Sequence, residues 1–136
     1  MATCANLSDK QCAPCHSLNE SALVPKEQII EELKNLPLWS SSEQGKKISR
    51  KFTAKNFQAA LECINLIGAV AEREGHHPDL HLTSYRDVEI VLFTHKVGGV
   101  TFNDFALARA IDLEVKVMYS PKWLRENPEA DSTALK

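Results

Sequence analysis

Apolar positions along the chain fall into blocks with different periods. Ile29, Ile30, Leu33 and Leu36 repeat at i, i+3/i+4 and i+7, the spacing of one helix face. This predicts a helix over Lys26 to Leu36, started by Pro25 at its first turn and stopped by Pro37. Leu38 and Trp39 begin an extended segment, Ser40 to Gly45 reads as a turn, and Lys47 to Thr53 alternates as a second strand with Ile48 and Phe52 on one face. The longest helix is predicted from Lys55 to Glu74. Phe57, Ala60, Leu61, Ile64, Ile67, Gly68 and Ala71 form one row, and Ala59, Cys63, Leu66 and Val70 widen it.

Leu80 to Tyr85 and Val88 to His95 then read as two strands joined at Arg86-Asp87. Val88, Ile90 and Leu92 share one face; Glu89, Val91, Phe93 and His95 share the other. Gly98-Gly99 breaks the alternation. Thr101 and Asp104 have the spacing of a capping box before a third helix, Phe102 to about Val117, with Phe105, Ala108, Ile111 and Val115 as its stripe. The order is helix, two strands, helix, two strands, helix. Short turns make each strand pair antiparallel, so the expected fold is α+β: a four-stranded antiparallel sheet with three helices on one face. Residues 1–24 show neither period and are expected to form a cysteine-containing tail. Residues 25–118 form the domain, and 119–136 a charged, proline-containing tail that frays.

Composition narrows the function. The 136-residue chain has a formal charge of −2, which gives no general attraction to nucleic acid or anionic membrane. No apolar run approaches the ~18 residues of a membrane span. Four cysteines, three of them crowded into the first fifteen residues, do not make a secreted disulfide framework. A reducing compartment follows, with a cytoplasmic location expected, or an organelle if a transit peptide precedes this chain.

The candidate chemistry is in a histidine block. His76, His77, His81 and His95 are four of the five histidines. Gly75 is suited to end a helix in the left-handed conformation, and Pro78 forces His77 to be extended. The adjacent pair is therefore held in a fixed direction. The helix end and Glu72 both favour a positive charge there. Asp104, in the first turn of a helix, supplies an anion. Two histidines and a carboxylate meeting at one sheet edge would make an acid–base set.

The spacing Glu72, three residues, His76-His77-Pro78, six residues, Tyr85, nine residues, His95, eight residues, Asp104 resembles the pterin-4a-carbinolamine dehydratases. The segments Glu74 to Leu82 and Thr94 to Phe105 are similar to their plant and microbial members, and Trp39 stands where the family has a tryptophan. The resemblance covers roughly Pro25 to Val117. It departs at Leu80, where many members carry tryptophan. It implies dehydration of a 4a-hydroxytetrahydropterin to the quinonoid dihydropterin, without metal or cofactor, the pterin being the substrate. On this resemblance His76 and His95 are the acid–base pair, and His77 binds and orients. Glu72, Pro78, Thr94 and Asp104 support binding. The resemblance also implies a homodimer or homotetramer, and it leaves open a binding or assembly role on the same fold with an unspecified protein partner, without direct contact to nucleic acid or membrane.

Two metal readings compete. Glu72, His76, His77 and His81 can be drawn around zinc, but adjacent histidines rarely converge on one ion. Cys12-Ala13-Pro14-Cys15-His16 has the form of a haem attachment motif, and Cys4, Cys12, Cys15 and His16 could hold zinc; an accessible tail is the plainer reading. Trp39, Phe57, Phe93 and Phe105 are expected in the core, and Lys46-Lys47 and Arg50-Lys51 on solvated strand faces.

Overall fold

The computed structural model describes residues 23–42 and 44–130. Its elements are α1 (Lys26–Leu33), β1 (Trp39–Ser41), β2 (Ile48–Thr53), α2 (Phe57–Glu74), β3 (Asp79–Thr83), β4 (Asp87–Leu92), α3 (Phe102–Glu114) and α4 (Pro121–Glu126). The sheet is antiparallel throughout, in the order β1-β2-β4-β3. Register puts Ile48, Arg50 and Phe52 opposite Leu92, Ile90 and Val88, and Leu80 and Leu82 opposite Ile90 and Val88. These residues line one face. The faces of β4 follow the alternation expected from sequence, because side chains on a strand point to opposite sides in turn.

The core lies between that face and the helices. From α2 come Ala59, Ala60, Cys63, Ile67, Val70 and Ala71, and from α3 come Phe105, Ala108 and Ile111. The buried stripe of α2 is narrower than predicted: Phe57, Leu61 and Leu66 face outward, while Phe93 is half-buried. Asn56 caps α2 by accepting the Ala59 N–H at 2.8 Å, and Gly75 ends it at φ 71°. A Cβ is disfavoured at that angle, which suits glycine at the stop. No helix among the described residues is long and apolar enough to cross a membrane.

Three expectations are corrected. First, α1 ends at Leu33, and tight turns, not helix, carry the chain to Leu36. Second, Arg50 is not on a solvated face. It is 3% exposed, with Nη1 donating to Asp112 Oδ1 at 2.7 Å and Nη2 to the Tyr119 hydroxyl at 2.6 Å. The Trp39 indole N–H also donates to Asp112. A buried cation needs such partners to offset the loss of water. Third, the residues from Ser120 to Ala130 do not fray. Tyr119 pairs with Ala54, the Ser120 N–H donates to the Thr53 carbonyl, and Trp123 of α4 stacks on Tyr119 with ring centroids 4.9 Å apart. Ala130 is fully buried.

Candidate functional site

The site forms where α2 ends, β4 ends and α3 begins. Asp104, in the first turn of α3, is the residue around which it is built. Its Oδ2 accepts the Thr101 N–H at 2.8 Å, as a capping-box carboxylate does, and the Thr94 hydroxyl at 3.1 Å. Its Oδ1 lies 2.5 Å from His76 Nε2. Thr94 Oγ1 also sits 2.9 Å from Thr101 Oγ1. A hydroxyl has one proton, and that of Thr94 goes to Asp104, so Thr101 donates to Thr94. The helix N-terminus adds a favourable potential for the carboxylate. Asp104 is 0%, Thr94 1% and His76 4% exposed. An ionised carboxylate can only accept, so in that state Nε2–H is the donor to Asp104 Oδ1.

The other histidines flank this core. His77 follows His76 and turns outward. Its side chain is 66% exposed and its Nε2 is 2.9 Å from Glu72 Oε1. Pro78 is half-buried and leads into β3. On the other side β4 stops at Leu92, three residues before the predicted end, because Thr94 leaves the ladder to pair with Gly99. The loop this closes carries exposed His95, whose ring lies against Phe93 at a centroid distance of 4.1 Å. His95 is thus covalently next to Thr94, and through Thr94 and Asp104 joined to His76.

Of the residues expected to support binding, Glu72 engages His77. Thr94 and Asp104 are enclosed and hold His76 and Thr101. His81 is exposed on β3, and among the described residues no three histidine, cysteine or acidic side chains come together as a metal site. Cys4, Cys12, Cys15 and His16 lie outside the described residues. The Thr101 hydroxyl and the Phe93 ring were not singled out as part of the site. The capping-box spacing signalled Thr101, and the position of Phe93 two residues before His95 could have signalled the ring contact.

A hollow lined by Lys51, Thr53, Thr83, Asp87, Glu89 and Trp123 lies at the opposite end of the sheet. Lys51 faces Glu89 across the strands there, and Thr53 donates to Asp87. No histidine lines it.

Residues 22–113 match the pterin 4 alpha carbinolamine dehydratase family. The chain is 36% identical to the mitochondrial pterin-4-alpha-carbinolamine dehydratase 2 of Arabidopsis thaliana, over 87% of this chain and 64% of that protein's length. It is 41% identical to a putative pterin-4-alpha-carbinolamine dehydratase of Alkaliphilus metalliredigens, over 79% of this chain and 94% of the relative. Among solved structures, a transcriptional coactivator/pterin dehydratase from Brucella melitensis superposes with a TM-score of 0.62 at 28% identity, over 68% of this chain and 98% of that one. The chain belongs to the pterin-4-alpha-carbinolamine dehydratase family.

Proposed function

We propose that the chain dehydrates a 4a-hydroxytetrahydropterin to the quinonoid dihydropterin by histidine acid–base catalysis. In this reaction the C4a–O bond breaks, N5 loses its proton, a C4a=N5 bond forms and water leaves. The N5 lone pair drives the departure, so the protein has two protons to manage. The observation that carries the reading is the Asp104–His76 pair inside the Thr94–Thr101 cradle, with His77 and His95 on its two flanks. Asp104, bonded to its imidazole, orients His76 as the base that takes the N5 proton. His95, on an exposed loop, protonates the leaving hydroxyl and is recharged from solvent. Each such group contributes roughly 10²–10⁴-fold. His77, held by Glu72, binds and orients the ring, and Pro78 forms part of the same wall.

Self-association belongs to the same reading. β3 is an edge strand, whose backbone groups can pair with a second copy, and light scattering on purified protein would return the mass of a dimer or tetramer. The activity is tested by stopped-flow absorbance on freshly generated 4a-hydroxytetrahydropterin. The protein should speed decay of the carbinolamine in proportion to its concentration. Decay at the buffer rate with folded protein would reject the reading.

A further inference from the structure

Leu23 and Val24 cross the loop that carries His95. The Val24 N–H donates to the Val100 carbonyl at 2.8 Å. Leu23 Cδ2 comes to 2.7 Å from where a Cβ on Gly99 would stand. A side chain at position 99 would push the Leu23 methyl aside, so the absence of a Cβ on Gly99 is what lets Leu23 sit this close. Gly99 in turn closes the loop: the Thr94 N–H donates to the Gly99 carbonyl at 2.8 Å, and the Gly98 N–H to the Thr94 carbonyl at 2.9 Å. Thr94 is fixed from below by Asp104. His95 has less to hold it, namely the Phe93 ring and the bond of its carbonyl to the Gly98 N–H at 3.3 Å.

We propose that Leu23 is a positioning residue for His95: packed on Gly99, it clamps the 94–99 loop from outside and fixes the imidazole against Phe93. Leu23 is 37% exposed and stands outside the core cluster, with its Cδ2 beside Gly99. The inference rests on the reading of His95 as the acid. A loosened loop would let the imidazole drift, and a displacement of about 1 Å can cost up to about 10²-fold in rate.

The test uses the full chain with Leu23→Ala, Gly99→Ala and both together. The Phe93 ring shifts the His95 ring protons in the NMR spectrum, and those signals are assigned by their loss in His95→Asn. In Leu23→Ala and in Gly99→Ala the shifts should move toward those of free histidine, with kcat falling about tenfold and KM within about twofold of wild type. The double variant should be no worse than the poorer single, because both changes remove one contact. Unchanged His95 shifts in both folded single variants would overturn the proposal. Shifts that move while kcat stays at the wild-type value would leave Leu23 as the positioning residue and remove His95 from the chemistry.

Discussion

At the scale of single residues, Asp104 decides how His76 behaves. As a carboxylate it can only accept, from His76 Nε2–H. Asp104→Asn keeps an oxygen for the Thr101 N–H, but turns an amide N–H₂ toward His76. The imidazole must then accept at Nε2 and carry its proton on Nδ1, the opposite tautomer. The expected result is a kcat lower by about 10²-fold with the fold retained, read by dehydration kinetics beside a thermal melt. Wild-type kcat in the folded variant would remove Asp104 from the mechanism. The pieces of this site were legible in sequence: the Gly75 stop, the Pro78 constraint and the capping-box spacing each have a local cause. Their closure was not, because His76 and Asp104 are 28 residues apart and nothing local says that two helix ends meet. Arg50 was misread although it shares strand parity with Ile48 and Phe52. The partners that make its burial tolerable stand 62 and 69 residues away.

At the scale of elements, the segment after α3 is the largest departure from the sequence reading. Its prolines and charges suggest fraying, yet Tyr119 stands where it can accept from buried Arg50, meet Phe52 edge to face and stack on Trp123. Periodicity does not reveal an element of six residues anchored by one phenol. Tyr119→Phe leaves an Arg50 N–H without its acceptor and should cost about 1–3 kcal/mol in urea unfolding. Ending the chain after Met118 should cost more, since Trp123 and Ala130 lose their contacts as well. An unchanged urea midpoint in the shortened chain would show that the segment is a tail after all. Neither change lies at the histidine end, so activity per folded molecule should stay within about twofold.

Over the whole molecule, one core couples the sheet to both long helices, and its polar centre makes stability depend on pH. Burial holds the Asp112 carboxyl above its usual range, against the pull of Arg50 and the Trp39 N–H. It likewise raises the Tyr119 hydroxyl and pushes the Cys63 thiol up to about 11, with Arg50 opposing. For Cys63 the folded state holds its proton more tightly than the unfolded state. Its contribution is therefore complete below the unfolded thiol's value of ~8.5 and is lost as pH rises through about 11. The urea midpoint should fall between pH 8 and 10.5 by more in wild type than in Cys63→Ala, the difference being worth about 2 kcal/mol. Tyr119 is present in both proteins, and because Cys63 is the smallest influence on its hydroxyl, most of its share drops out of the difference. Equal falls would mean that the thiol is not buried as described. On the acid side, Arg73 lowers the Glu114 carboxyl through paired hydrogen bonds. That contribution is present at neutral pH and lost as pH falls, and exposure of the pair keeps it small.

If the histidines gathered at the Asp104 end carry the proposed dehydration, removing acid and base together abolishes it. The most direct measurement is the single-turnover rate of carbinolamine decay on folded His76→Ala, His95→Ala double variant, with circular dichroism taken on the same sample. The rate should fall by several orders of magnitude, to within about tenfold of the uncatalysed rate. A double variant that is folded and turns over at the wild-type rate would contradict it.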